Sequence, residues 1–248
     1  KIEHYMKNGS TLYSTQNTNC FSDEGSSTFG DWRTKYAQIA DDEEFQFIGN
    51  DCEPAYEYLK VNHPEMNVGK IYLDAFEQVV TAGGERYPEE ERKINDHMER
   101  GVLVMNYVGH GGEVGVAEER VITVPQIKDW KNIDRMPLFV SATCEFTKYD
   151  DPDRISAGEW VSLNPYGGAI ALMTTTRSVY YDVNEYTIQA FIQRVFTRDD
   201  NYEPHTFGEI IRTTKNNTNS NSMNKRSFTL IGDPALQIAL PQNEGCYR

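Results

Sequence analysis

The chain has 248 residues with 38 acidic and 24 basic side chains, a formal net charge of −14, so like charge opposes nucleic acid or an anionic membrane surface as its principal partner. Its 25% charged and 38% hydrophobic residues match an ordinary globular protein long enough for one substantial core. It carries no run of about 18 apolar residues that would read as a membrane span, and cysteines at 20, 52, 144 and 246 are too few for a disulfide scaffold and too scattered for a zinc site.

In chain order, Ile2, Tyr5 and Met6 have the spacing of a last helical turn before Gly9. This start lacks the apolar stretch of a signal peptide, so an export signal is expected to lie upstream or to have been removed. Residues 8–30, rich in Ser, Thr, Asn and Gly, read as a long polar loop. We therefore expect a truncated helix and loop over 1–30, a main domain over 31–240 and a tail over 241–248.

From residue 31 onward, apolar runs of strand length alternate with segments of helical period, the pattern of a mostly parallel sheet covered by helices. Strands are expected near 35–40, 70–74, 102–108, 137–142, 168–174 and 227–231. One helix is expected over 54–62, ended before Pro64, and another over 88–100, opened by Pro88 and stopped by Gly101. In 185–197, Ile188, Phe191, Ile192, Val195 and Phe196 form one apolar stripe, which is core. Thr206 and Glu209 have the spacing of a capping box, and a polar loop from Asn216 to Lys225 leads into the last strand.

The chemistry concentrates where two of these strands end. The apolar run Val102–Val108 passes into Gly109-His110-Gly111-Gly112, and the run Pro137–Ala142 ends in Thr143-Cys144-Glu145. No Lys-Ser/Thr follows the glycines at the spacing of a nucleotide-binding loop. In a parallel sheet, ligands bind at the carboxyl ends of the strands, so neighbouring strands would bring His110 and Cys144 to one edge. A thiol is only about a few per cent ionised at neutral pH, and an adjacent imidazole raises the reactive fraction and returns a proton to the leaving amine. Backbone N–H groups of Gly111 and Cys144 are the candidate oxyanion hole. A lone Cys after an apolar strand is usually a small buried hydrophobe; the pairing with a strand-end His favours a nucleophile instead.

Asn106-Tyr-Val-Gly-His110-Gly-Gly-Glu113 followed by Ser141-Ala-Thr-Cys144-Glu-Phe resembles the gingipain family of cysteine peptidases, within the clan of caspases and legumain. Gly83-Gly-Glu-Arg-Tyr-Pro88, Ser156-Ala-Gly-Glu159 and Leu230-Ile-Gly-Asp-Pro-Ala-Leu236 extend the likeness over most of the chain, toward the branch of type IX secretion system surface sortases. One departure is Thr143, where many clan members have Ala before the Cys.

The resemblance implies a caspase-like three-layer α/β/α sandwich with a mostly parallel central sheet, so that 31–240 is a catalytic domain. It implies Cys144 as nucleophile, His110 as acid–base and Gly111 in the oxyanion hole. It further implies cleavage of a C-terminal secretion signal domain from exported cargo, with transfer to an amine of a surface polysaccharide. Partners would be such cargo, the polysaccharide and other secretion-system surface proteins, at the extracellular face of a bacterial outer membrane. A non-catalytic or latent cargo-docking module is the competing reading.

The third, orienting acid is left open among Asp41, Asp42, Glu43, Glu44 and Glu113. Thr175, Thr176 and Arg177 follow the strand next to the nucleophile's and are expected to contact substrate. No cofactor is required; calcium is a candidate ligand for Asp150, Asp151 and Asp153, an acidic loop after the nucleophile. With Cys144 free, Cys20 with Cys52 is one option for an internal disulfide.

Overall fold

The computed structural model describes residues 1–3, 5, 31–218 and 224–241. Its centre is a six-stranded sheet. The strands are β1 (Lys35–Ala40), β2 (Asn67–Tyr72), β3 (Val104–Val108), β4 (Leu138–Ala142), β5 (Ala171–Thr175) and β6 (Phe228–Ile231). Their spatial order is β6-β5-β4-β3-β1-β2, all parallel except β6, which pairs antiparallel with β5. The chain leaves β1 for one side of the sheet and returns to the other, so the topological switch lies between β1 and β3.

Strand residues alternate between two cores, as the two-residue period of a strand requires. One core joins Tyr36, Val104, Val140 and Met173 to Leu59 of helix α1 (Glu53–Asn62). It also holds Phe191 of the helix Tyr181–Val195 and Ile210 of the helix Phe207–Asn217. The other joins Ile39, Met105, Phe139 and Leu172 to Ile94 and Met98 of helix α2 (Pro88–Arg100). Ile127 of α3 (Val124–Asp129) and Val161 of α4 (Ala157–Leu163) complete it. With helices covering both faces, the molecule is a three-layer α/β/α sandwich. The helices Tyr181–Val195 and Phe207–Asn217 are called α5 and α6 below.

Ile188, Phe191, Ile192 and Val195 of α5 are all fully buried, and each such side chain contributes roughly 1.5–3 kcal/mol of transfer free energy. Helix α2 has the bounds its sequence signals set, with Pro88 in its first turn and Gly101, at φ 84°, as its cap. Thr206 caps α6, accepting from the Glu209 N–H at 3.2 Å.

Several expectations shift. Strand β2 begins at Asn67, because Asn67 to Tyr72 pair in parallel with Lys35 to Ala40 although only Ile71 of the six is buried. Strand β5 ends at Thr175, one residue later than expected. Helix α6 continues through Asn217, and a turn at Asn224–Ser227 precedes β6, so only the middle of the expected 216–225 loop remains, outside the described residues. The expected loop over 8–30 also lies outside them. Several small elements had no counterpart in the sequence reading, among them α3, α4, an exposed hairpin of Val79–Thr81 with Gly84–Arg86, and a three-stranded ribbon of Gly111–Gly112, Gly115–Val116 and Ile122–Thr123.

Near the amino terminus, the buried Tyr5 hydroxyl accepts from the Ala239 N–H at 3.0 Å. Cys52 is a free, fully buried thiol whose pKa is pushed well up by burial; its suggested partner Cys20 lies outside the described residues.

Candidate active site

Strands β3 and β4 are hydrogen-bonded neighbours with Val108 opposite Ala142. His110 and Cys144 therefore each stand two residues past a matched pair, at the carboxyl edge of the sheet. Strand β1 ends alongside, its last residue Ala40 opposite Val108, which brings Asp41–Glu44 to the same edge at the topological switch.

His110 is held through its backbone and through its ring. Its N–H donates to Asp41 Oδ2 at 2.8 Å, and its carbonyl accepts from the Tyr107 hydroxyl at 2.6 Å. Gly109 is required by close approach, because a Cβ there would lie 2.3 Å from the Asp41 Cβ. The imidazole Nε2 faces Glu43 Oε2 at 3.2 Å and Glu44 Oε1 at 3.8 Å. The Phe47 ring packs edge-on, with centroids 5.4 Å apart. Phe47 opens a six-residue π-helical segment, Phe47–Cys52, that runs into α1; such segments recur at functional sites.

These contacts sort the candidate acids. Glu43 is nearest the imidazole, Asp41 braces the backbone, and Asp42 accepts from the Tyr87 hydroxyl at 2.6 Å. Glu113 is engaged elsewhere, with Lys148 at 2.7 Å and Arg154 at 3.6 Å. Burial pushes the Asp41 carboxyl up to about 6, partly offset by the His110 N–H. With Nε2 on Glu43, Nδ1 is the nitrogen left to exchange a proton with a thiol.

Cys144 is half-buried and free, and its Sγ donates to the Val179 carbonyl at 3.6 Å. The thiol thus rests on the segment after β5 and shares no hydrogen bond with the imidazole. Catalytic hydrogen bonds are often long or misaligned before substrate binds. The turn carrying Cys144 is pinned from β5: Thr175 donates to the Thr143 carbonyl, and the Thr174 hydroxyl bonds both Ser141 and Thr147 at 2.8 Å. Glu145 follows at φ 50° and donates its N–H to the Arg177 carbonyl at 3.4 Å.

Gly111 lies against this turn. A Cβ on it would meet the Thr143 Oγ1 at 2.7 Å and the Gly115 carbonyl at 3.1 Å. Ala117 N–H donates to the His110 carbonyl at 3.0 Å, which makes Gly111 and Val116 the non-hydrogen-bonded pair of their ladder and turns the Gly111 N–H out of it. A cavity of about 810 Å³ opens beside His110, Gly111, Gly112, Val114, Glu118 and Arg120.

The expected substrate contacts fare differently. Thr175 is fully buried and its hydroxyl is committed to the Thr143 carbonyl, so it positions the nucleophile's turn and is withdrawn as a substrate contact. Thr176 bonds the Ser227 carbonyl through its N–H at 3.0 Å. Arg177 is exposed but paired with Asp150 through two bonds, 2.6 and 3.1 Å. The suggested calcium loop is also occupied internally: Asp150 holds Arg177, and Asp151 accepts from the Asp153 N–H at 2.9 Å. Among the described residues, Asp41, Asp42 and Glu119 each bring a carboxylate oxygen within 4.8 Å of the others. Sequence reasoning missed Glu119, whose loop position carries no periodic or motif signal.

Solved structures share this arrangement of elements. The crystal structure of the Arg-specific cysteine proteinase gingipain R (RgpB) aligns with a TM-score of 0.69 at 15% identity, covering 95% of this chain and 51% of that one. The complex of the pro- and mature domains of RgpB from Porphyromonas gingivalis gives 0.68 at 14%, covering 95% and 52%. A structure described as a protease gives 0.65 at 16%, covering 84% and 49%. The chain thus spans about half the length of these proteins. No curated protein matches it. The sequence pattern of peptidase family C25 matches residues 14–239, nearly the whole of the sandwich and both strand ends that carry His110 and Cys144, and the chain belongs to that family, the gingipain family of cysteine peptidases.

Proposed function

We propose that the chain is the catalytic domain of a cysteine endopeptidase with sortase-like transpeptidase activity. In this reading it cleaves a C-terminal secretion signal domain from exported cargo and passes the acyl group to an amine of a surface polysaccharide. The work would be done at the extracellular face of a bacterial outer membrane, beside other surface components of the type IX secretion system, as for sortases of the PorU type. The observation that carries the chemistry is the pair of matched overhangs, His110 and Cys144 each two residues past Val108 and Ala142, with Glu43 on the imidazole Nε2. The cargo and the acceptor rest on the sequence resemblance.

In the reaction, the Cys144 thiol gives its proton to His110 Nδ1 and the thiolate attacks the scissile carbonyl carbon. The oxyanion so formed is met by the Gly111 and Cys144 N–H groups. The imidazolium then protonates the leaving amine as the C–N bond breaks, leaving a thioester on Cys144. Glu43 holds the ring with Nδ1 toward the thiol and favours the imidazolium during the step. Water or an amine closes the cycle by giving its proton to His110 and attacking the thioester, so hydrolysis and transpeptidation differ only in the second nucleophile.

Two measurements test this reading. Iodoacetamide should label Cys144 selectively and fast, whereas Cys52 is fully buried. A cargo protein ending in its signal domain should then give cleavage in water, and a cargo–amine adduct when a primary amine is added, both lost in Cys144→Ala. Slow, unselective labelling with no acyl-enzyme would overturn the catalytic reading and leave a docking module.

A further inference from the structure

The cavity of about 810 Å³ beside His110 is given no part in the reaction above, although ligand pockets commonly measure about 300–1,000 Å³. Its walls come entirely from residues 110–125: the strand end that carries His110, the three-stranded ribbon that follows, and Val124 and Pro125 at the start of α3. Among the described residues, none from the turn after β4 or the segment after β5 borders it. The cavity therefore touches the acid–base and lies apart from the segments on which the thiol rests.

One glycine in this wall is not explained by the fold. Of the four glycines between 109 and 115, three leave no room for a side chain. A Cβ would lie 2.3 Å from the Asp41 Cβ at Gly109, 2.7 Å from the Thr143 Oγ1 at Gly111 and 2.3 Å from the Ile122 carbonyl oxygen at Gly115. At Gly112 a Cβ meets nothing within 4 Å, and the residue is not among the glycines at positive φ. Neither packing nor backbone angle calls for a bare position there. A glycine in a strand weakens it and often marks the place where a ligand or another backbone comes close. No protein atom fills the space over Gly112, so the approaching group comes from outside the fold.

The opposite wall has a second irregularity. Ala117 and Arg120 both stand at φ 59°, a conformation that residues other than glycine adopt at a cost, and such positions gather at ligand clamps. They place the exposed side chains of Glu118 and Arg120 on the cavity rim. Neither side chain forms an ion pair among the described residues, so one free charge of each sign faces whatever enters.

We propose that this cavity is the subsite for the amine half of the reaction. It takes the polypeptide on the carboxyl-terminal side of the scissile bond and, once that segment has left, a primary amine at the end of a polar chain. The assignment rests on the peptidase reading above. The acyl half of a substrate must reach the Cys144 sulfur, which lies against Val179 at 3.6 Å. The leaving nitrogen must instead take a proton from His110, and an acceptor nitrogen must give one back, so both stand within hydrogen-bond reach of the imidazole. In the second step the acceptor nitrogen bonds to the thioester carbon, its proton passes to His110, and the C–S bond breaks to return sulfur to Cys144 as the thiolate that recovers that proton. A bare Gly112, next to the Gly111 N–H that meets the oxyanion, lets the chain attached to either nitrogen lie along the ribbon.

The test compares two substrates on the purified chain: a peptide spanning the junction at which cargo is cut, and the methyl ester of its acyl half, whose leaving group is too small to enter the cavity. Gly112→Val fills the open space from the floor and Val114→Trp from the rim, where Val114 is 62% exposed and a larger side chain is tolerated. Circular dichroism establishes that both are folded. Each variant should lower the ratio of peptide to ester turnover by about tenfold or more. Each should also raise, by a similar factor, the concentration of glycylglycinamide at which adduct and hydrolysis product form equally. Peptide and ester slowed alike in both variants would place the defect in the oxyanion site. That result, or a ratio and an amine capture equal to the parent's in both, would overturn the assignment and leave the peptidase reading standing. Failure of the parent to form an acyl-enzyme from either substrate would remove both.

Discussion

At the scale of single residues, the contacts around His110 separate roles that look alike in sequence. Sequence alone gives five carboxylates, Asp41, Asp42, Glu43, Glu44 and Glu113, a similar claim to orient the imidazole. Geometry assigns Glu43 to the ring at 3.2 Å, Asp41 to the backbone and Glu113 to Lys148 and Arg154. The His110 and Glu43 side chains remain 46% and 35% exposed, and an ion pair so open to water is worth at most about 1 kcal/mol. Glu43→Gln is therefore expected to lower kcat by less than about tenfold, with Glu44→Gln milder still. His110→Ala should cost about 10²–10⁴-fold, read by steady-state cleavage of a peptide substrate. Thr175 teaches the opposite lesson. Placing the end of its strand one residue early turned an inward, buried hydroxyl into an expected substrate contact. Thr175→Val leaves the Thr143 carbonyl without its donor at a cost of about 1–3 kcal/mol, and Tm should fall by roughly 2–10 °C.

At the scale of elements, legibility followed the strength of the local signal. Helix α2 was bounded correctly because Pro88 and Gly101 each do something few residues can, one entering a helix without a spare N–H and the other capping it at positive φ. Strands β3 and β4 were visible as apolar runs, broken only by Asn106 and Ser141, because both faces of a central parallel strand are covered. Helices α3 and α4, six and seven residues long, are too short to show a helical period. Their caps were nonetheless written in the chain: the Ser156 N–H donates to Glu159 Oε2 at 2.8 Å and its Oγ accepts from the Glu159 N–H at 3.4 Å. Ser156→Ala should destabilise the fold by about 0.5–2 kcal/mol, measured by urea denaturation. It should also loosen the turn after Cys144, because the Gly158 N–H at the start of α4 donates to the Phe146 carbonyl at 2.8 Å.

At the scale of the whole molecule, the α/β/α architecture was readable because alternation of strand and helix signals leaves few ways to cover a parallel sheet. The approach of Asp41 and Asp42 to Glu119 was not, since they come from two segments whose convergence only the fold creates. A buried carboxyl elsewhere sets a pH dependence for the entire domain. Asp51, 2% exposed, is pushed up to about 8 by burial and then by the charge on Glu185. Its folded form holds a proton that the unfolded chain releases near pH 4, so the native state binds more protons between about pH 4 and 8. Stability must then fall as pH rises through that window and level off above it. Asp51→Asn mimics the protonated acid. Its Tm should match the parent near pH 4 and exceed it at pH 8 by on the order of 5 °C, as thermal melts across the range would show.

The two-residue overhang past Val108 and Ala142 has one more implication, for how such a domain diversifies. The distance between nucleophile and base is set by main-chain pairing of adjacent strands, and a slip of one position would carry the thiol about 3.3 Å along the sheet and reverse the face it presents. Insertions or deletions in the excursion from Gly112 to Pro137 leave that pairing untouched. Selectivity for one polypeptide over another can therefore drift in the excursion while the chemical step stays constant, and grafting a foreign excursion between these two strands should change what is cut without abolishing cutting.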